Sequence, residues 1–491
     1  MRFLVSDRSG EKTEYLALFL RGLFIGAQVN HSSDSAWDYL LSVSYSWNGD
    51  MLSIQTTGRT STQSVVAENS FSRQELLLYA SSTVDGNLAK ALRLSVIQCL
   101  RGLMQREFPW GILTGVRPTK TVGFLQSVGI EGATRSHVFE KMFGLSPEKS
   151  QYLIKIADKG QSLSRANAGQ GYLLYISIPF CPSRCNYCSF FTGIADSKMI
   201  QIYLSSLHTE LEKMSTIMKR YFRRVDAVYI GGGTPGILSN RQIIDLLQCV
   251  SHNYSLAADC EITFEAGRAE IITPEMVRVC SESGVSRICV NPQTMQDTTT
   301  VQIGRNCSSA HVLQAVDHVR DNSNLLLNMD LIIGLPNENS TQMLDSLQRV
   351  MAIAPDNITL HALALKRATV LRHSNIPHAH DEARLTFAEA GKLLPVSGFQ
   401  PYYLYRQKFT AGDLENVGYA IPGKECYYNI SMIEDWQTVL AVGAGANSKF
   451  VCHSSKFPRD ENPKDPGQYQ QRLDELLARK EALLEKSFSS S

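Results

Sequence analysis

From Gly171 onward, short apolar runs alternate with longer amphipathic segments, and this alternation limits the fold more than any other feature of the chain. The runs cover residues 173–180, 227–231, 262–266, 287–291, 326–334 and 358–365. Between them, 204–221, 240–253, 274–284, 310–322 and 340–354 carry apolar residues at helical intervals. Runs this apolar, without an in–out alternation, suit strands covered on both faces, and strand–helix repeats of this kind build parallel βαβ units. Six units predict an α/β fold, an incomplete (β/α)6 barrel; a doubly wound sheet is its competitor.

The length of 491 residues exceeds one ordinary domain. Residues 1–165 read as an N-terminal α+β domain of unknown role. Strands are expected over 14–24 and 39–57, with a turn at Asn48-Gly49, and helices over 72–106 and 136–164. Pro109-Trp110-Gly111 ends the first helix. The boundary falls in the small, polar stretch 166–171. Residues 166–370 form the barrel, and 371–491 a C-terminal extension completing its substrate side. That extension is rich in Tyr and Gly over 402–450, with a helix over 468–486.

The 48 Lys+Arg nearly balance the 47 Asp+Glu, so charge gives no general case for nucleic acid or an anionic membrane. Charge returns within a few residues of Met1, and the longest apolar run, 325–336, contains Asp330. The expectation is a soluble cytoplasmic protein with no membrane span.

Eight of the 11 cysteines are scattered singly. The other three stand in Phe180-Cys181-Pro182-Ser183-Arg184-Cys185-Asn186-Tyr187-Cys188, directly after the first barrel run. Three thiolates from one tight loop can bind three corners of an iron–sulfur cube and leave the fourth iron open to a small molecule. A structural zinc site would need a fourth ligand, usually from a second cysteine pair, and no second C-x2-C is present. In (β/α) barrels the active site lies at the C-terminal ends of the strands, where this loop sits.

The C-x3-C-x2-C spacing resembles the radical S-adenosylmethionine (SAM) superfamily. Ile178-Pro179-Phe180-Cys181, Tyr229-Ile230-Gly231-Gly232-Gly233-Thr234-Pro235, Phe264-Glu265-Ala266-Gly267-Arg268, Asn291-Pro292-Gln293-Thr294-Met295 and Asp330-Leu331-Ile332-Ile333-Gly334-Leu335-Pro336 follow in order. This series resembles the oxygen-independent coproporphyrinogen III dehydrogenases (oxidases), and the stretches 109–120, 402–408 and 414–426 are similar to their long-chain, HemZ-type subgroup.

The resemblance implies a [4Fe–4S] cluster on Cys181, Cys185 and Cys188, with SAM on its open iron. It implies SAM contacts from Gly232, Gly233, Thr234, Glu265, Gln293, Arg305 and Asp330, with Tyr175, Tyr187 and Ala362 nearby. The glycine-rich turn is expected to offer free N–H groups to the ligand. It also implies the reaction. One electron from the cluster splits SAM into methionine and a 5′-deoxyadenosyl radical, which takes a hydrogen from a propionate β-carbon. Loss of CO2 and a further electron leaves a vinyl group, and two rounds turn coproporphyrinogen III into protoporphyrinogen IX. No side chain is assigned as acid or base. The implied partners are the porphyrinogen and a low-potential electron donor such as flavodoxin or ferredoxin. Lys366-Arg367, and Arg406 with Lys408, are placed to meet the substrate's carboxylates. In residues 1–165, Trp110-Gly111 with Arg117 and Lys120 are candidates for contact with a partner or the barrel.

Two positions depart from the family. Phe190 stands where well-known dehydrogenases carry a fourth cysteine. Haem chaperones of the same branch carry a His-Asn-x-x-Tyr-Trp element where this chain has Cys426-Tyr427-Tyr428-Asn429. A haem-binding chaperone, with Cys426 or a tyrosine as axial ligand, and a radical SAM enzyme on another substrate are the alternatives.

Overall fold

The computed structural model describes residues 1–7, 12–24, 27–30, 36–79, 84–115, 117–164, 170–189, 193–194, 196–364, 366, 369–373, 380–452 and 457–488. Ala80, Phe190, Leu365, Arg367 and the expected boundary at 166–169 lie outside the described residues. The chain divides into two compact units, Met1–Lys159 with Leu404–Phe409, and Gly160–Tyr403 with Thr410–Ser491.

The first unit is built on a five-stranded sheet of β1 (Arg2–Asp7), β2 (Gln28–Asn30), β3 (Tyr39–Asn48), β4 (Met51–Arg59) and β5 (Ser64–Ser72), ordered β2-β1-β3-β4-β5. The Asn48-Gly49 turn closes the β3–β4 hairpin, with Gly49 at φ 58°. The helix Val84–Met104 packs close on this sheet: a Cβ on Gly58 would lie 2.5 Å from the Cys99 sulfur. The strand expected over 14–24 is instead the helix Thr13–Leu23. Leu16, Ala17, Phe19 and Leu20 are its buried residues, and their spacing of three to four is the helical repeat. The helix expected over 136–164 is two helices, Ala133–Phe143 and Pro147–Ser162. Gly144, left-handed at φ 69°, stops the first, and Pro147 opens the second.

In the second unit, β6 (Gly171–Ile178), β7 (Arg224–Gly232), β8 (Leu256–Gly267), β9 (Arg287–Val290), β10 (Leu326–Ile333) and β11 (Asn357–Ala362) lie side by side in sequence order, all parallel. A doubly wound sheet would reverse direction at a switch point; this row winds one way, as a barrel does. The crossover helices Ser197–Met218, Asn240–Asn253, Pro274–Glu282, Ser309–Asn322 and Ser340–Ile353 match the expected positions. Ser239, Ser308 and Asn339 start three of them with capping boxes.

The C-terminal region extends the same sheet at both ends. Strands β12 (Gln400–Arg406) and β13 (Glu415–Ala420) follow β11, with β13 antiparallel to it. Beyond β6 come β14 (Val439–Val442), parallel to it, then β15 (Asn447–Lys449) and β16 (Arg459–Glu461). A seventh parallel strand beside β6 was not expected from the sequence. Among the described residues no helix is long and apolar enough to cross a membrane.

One carboxylate ties these additions to the barrel. Glu210, on the helix Ser197–Met218, accepts from Lys480 at 2.5 Å, Tyr469 at 2.6 Å, the Gly443 N–H at 2.7 Å and Asn462 at 3.1 Å. Lys480, on the helix Leu473–Phe488, also donates to the Ala441 carbonyl of β14 at 2.9 Å, and both ionic side chains are fully buried. Lys480→Met leaves a buried carboxylate without its cation, so it should lower stability by about 3–5 kcal/mol in chemical denaturation. Adding Glu210→Gln should recover part of that loss.

Candidate active site

The residues singled out from the sequence lie in the C-terminal halves of the parallel strands and in the segments that follow them, Arg305 beyond the short helix Asp297–Gln302. After β6 the chain runs directly into the cysteine loop. This loop is pinned from several sides: the Cys181 N–H donates to the Gly193 carbonyl at 3.1 Å, the Asn186 N–H to Ile303 at 2.9 Å, and the Cys188 N–H to Cys185 at 3.2 Å. The Asn186 side chain donates to the Gln302 carbonyl at 2.9 Å. Burial raises the pKa of the Cys181 thiol, and the Thr234 hydroxyl beside it acts the other way. Among the described residues no three His, Cys, Asp or Glu side chains converge closely enough to hold one metal ion. The thiolates of a cube bind at separate corners, wider apart than the ligands of one ion.

The glycine-rich turn ending β7 differs from expectation in one respect. Its N–H groups are not free. Gly233 donates to the Ile178 carbonyl at 2.7 Å and Thr234 to Phe180 at 2.8 Å, while the Gly232 N–H bonds the Glu265 carboxylate. What the turn supplies is closeness. A Cβ on Gly233 would lie 2.5 Å from the Phe180 carbonyl, and one on Gly231 would lie 2.5 Å from the Glu265 carboxylate.

Glu265 sits where the β8–β9 register slips between Phe264 and Gly267, a bulge that re-aims a strand-end side chain. Burial pushes its carboxyl pKa up to about 8, Asp330 adds to this, and the Gly232 N–H and Tyr229 hydroxyl oppose it. Asp330, on β10, has the His361 ring nitrogen of β11 at 3.5 Å. Gln293 holds a left-handed backbone at φ 70°, exchanging backbone hydrogen bonds with Asp330 and Ile332 at 2.9 and 2.8 Å. Strain of this kind persists where the surroundings enforce it, often at functional sites. The Arg305 guanidinium is buried and donates to Tyr187 at 3.0 Å, to the Asn291 carbonyl at 2.8 Å and to Gly267 at 3.3 Å. No carboxylate is among these partners. Tyr175 stacks with Tyr229 and Tyr428, at 6.3 and 6.4 Å between ring centres. Ala362 ends β11, with its N–H on the Asn416 side chain at 3.2 Å.

These residues fit the two groups the sequence implied. The loop offers three thiols within eight residues. Beside it, the Asn291 and Gln293 side-chain oxygens and the Arg305 Nε are buried without hydrogen-bond partners. Buried polar atoms left open in this way call for a polar ligand. Asn291, His361 and Arg268 were not singled out from the sequence. Asn291 and Arg268 stand within the strand-end motifs beside Gln293 and Glu265, and His361 has no signal beyond its strand-end position.

Two expectations change. Cys426 is fully buried, with its sulfur 3.1 Å from the Glu261 carboxylate and 4.0 Å from Thr263, so it is not presented to a haem iron. Arg406 belongs to the first unit, where its guanidinium lies 5.1 Å over the Trp110 ring and donates to the Leu113 carbonyl. Trp110 likewise packs against Lys149, at 5.4 Å.

A one-way row of parallel strands, with three cysteines in the loop after the first and polar groups at the ends of the others, defines a radical SAM type of protein. Residues 175–350 match the radical SAM superfamily. The chain is 32% identical over 414 residues to the oxygen-independent coproporphyrinogen-III oxidase-like protein HemZ of Bacillus subtilis, covering 82% of each chain. It is 26% identical to the heme chaperone HemW of Escherichia coli, over 61% of this chain and 75% of that one. Coproporphyrinogen III oxidase (HemN) from Escherichia coli shares the fold, with a TM-score of 0.50 and 21% identity over 64% of this chain and 72% of that one. The chain belongs to the radical SAM superfamily, in the family of the oxygen-independent coproporphyrinogen-III oxidase-like proteins. Its cofactors are those of that superfamily, a [4Fe–4S] cluster and SAM.

A carboxyl whose pKa is raised on folding adds stability below its unfolded value, near 4.5, and loses it as pH rises through about 8. The cofactor-free protein should therefore lose stability across that window. Glu265→Gln should remove this loss, on the order of 5 kcal/mol at 1.36 kcal/mol per pKa unit, as read by melting temperature against pH.

Proposed function

We propose that this chain is a radical SAM oxidoreductase that oxidatively decarboxylates coproporphyrinogen III to protoporphyrinogen IX. The observation that carries the reading is the likeness to a coproporphyrinogen-III oxidase-like protein across 82% of both chains, barrel and flanking regions together. In this reading Cys181, Cys185 and Cys188 hold the cluster. Arg305, Gln293, Asn291, Glu265 and Asp330 hold SAM, with Gly232, Gly233 and Thr234 shaping the wall against which it lies. Tyr175, Tyr187 and Ala362 line the same space. When bound, the two cofactors together supply a carbon-centred radical that abstracts hydrogen from the substrate.

The chain's own residues bind, orient and enclose. Arg305 supplies a buried cation for a carboxylate, a charge-assisted pair. Glu265 and Asp330 supply acceptors for hydroxyl or ammonium donors. Lys366, just past β11, lies within electrostatic reach of Cys188 and of Lys464, and burial lowers its pKa. Lys366 and Lys464 thus bring positive charge to the mouth beside the cysteine loop, where a substrate with four carboxylates needs it. Lys464 was not foreseen from the sequence, while Arg406 is engaged with Trp110 and Leu113. A low-potential donor such as flavodoxin or ferredoxin would deliver the electron, and the setting is cytoplasmic.

The haem-chaperone reading rests on the likeness to HemW. It lacks the histidine element at 426–429, and Cys426 is turned into the protein interior.

The test is anaerobic reconstitution with iron and sulfide, then addition of SAM, a strong reductant and coproporphyrinogen III. Protoporphyrin formed together with 5′-deoxyadenosine is the expected result. Steady 5′-deoxyadenosine with no protoporphyrin would overturn the substrate assignment, and stoichiometric haem binding in that case would favour the chaperone. Arg305→Met should keep the cluster and weaken SAM binding roughly 10- to 100-fold, the loss of one buried charge-assisted contact, measured by calorimetry.

A further inference from the structure

Arg268 follows β8 directly and is 4% exposed. One of its terminal nitrogens, Nη2, donates to the Ser183 carbonyl at 2.9 Å, to the Ser183 hydroxyl at 3.1 Å and to the Cys185 sulfur at 3.1 Å. The other, Nη1, pairs with Glu270 at 3.4 Å, on a side chain that is itself largely buried. Gly267, at φ 78°, turns the chain so that Arg268 points back under the cysteine loop. The three cysteines are therefore unequal. Cys185 is the buried one, at 7% exposure, and has a guanidinium directly against its sulfur; Cys181 is partly exposed, has the neutral Thr234 hydroxyl beside it and feels Arg268 only through space.

We propose that Arg268 is a positioning residue for the cluster, holding the loop at Ser183 and setting the reduction potential through its hydrogen bond to the Cys185 sulfur. This rests on the assignment of the three cysteines as cluster ligands. Reduction adds negative charge to the cluster and its thiolates. A charged donor on one of those sulfurs stabilises the reduced form more than the oxidised form, which raises the potential. Burial strengthens the effect, because little water screens it. Glu270 works in the opposite sense by offsetting part of the guanidinium charge.

The test is a redox titration of the reconstituted protein followed by electron paramagnetic resonance, with neither SAM nor porphyrinogen present. Arg268→Gln should move the midpoint potential negative of the parent's. Glu270→Gln, which leaves the guanidinium on the sulfur, should move it positive. Equal potentials in Arg268→Gln and the parent overturn the inference. Where Arg268→Gln takes up no cluster, the Glu270→Gln potential decides, and a parental value there overturns it. A parent chain that itself assembles no cluster removes the ligand assignment and this inference together. Loss of protoporphyrin formation with these shifts intact would touch only the substrate reading.

Discussion

The packing of the C-terminal region behind β6 centres on Glu210, a fully buried carboxylate. Its partners come from Gly443, Asn462, Tyr469 and Lys480, all more than 230 residues further along the chain. A buried charge is tolerable only when opposite charge and hydrogen bonds surround it. The helix Leu473–Phe488 therefore brings to the helix Ser197–Met218 the cation that its buried carboxylate needs. Tyr203, two turns before Glu210 on the same helix, donates to the Ser177 carbonyl at 2.6 Å and receives the Ala444 N–H at 3.0 Å. Ser177 donates to the Ala444 carbonyl at 2.8 Å. The last residues of β6, just before the cysteine loop, are thus fixed by the far C-terminus.

From that fixed point the site assembles outward. The cysteine loop is bonded to the turn after β7, to Arg268 after β8 and to the segment around Ile303. Most of these contacts use backbone carbonyls of the loop or its neighbours; Arg268 alone among them also reaches a sulfur, that of Cys185. The glycine-rich turn shows the same economy. Its amides hold the protein together, and its missing side chains give room.

Much of this was legible in the sequence. The six strands were readable because parallel strands buried on both faces are apolar throughout, and the helices because their caps and periodicity agree. The three cysteines stand out in the sequence because their loop is local, all three lying within eight residues. The helix Thr13–Leu23 was misread because a run dense in Leu and Phe satisfies strand and helix patterns alike, and burial on one side of the chain decided between them. Strands β12 to β16 were missed because they are short or pair at the sheet's ends, where no regular rhythm announces them.

What the sequence by itself determined is the chemistry that local spacing can encode: the order of the βα units, the cysteine loop after the first strand, and carboxylates and an arginine at later strand ends. Only the tertiary structure decided which cations come near the cysteine loop. Arg268 reaches the Cys185 sulfur across 83 residues of chain, and Lys464 comes within reach of Lys366 from the C-terminal region. Arg406 is taken instead by Trp110 and Leu113. An arginine or lysine looks the same in sequence whether it faces solvent, an aromatic ring or a thiol. Its role is set by desolvation and by the groups that folding places around it, and those are properties of the folded chain alone.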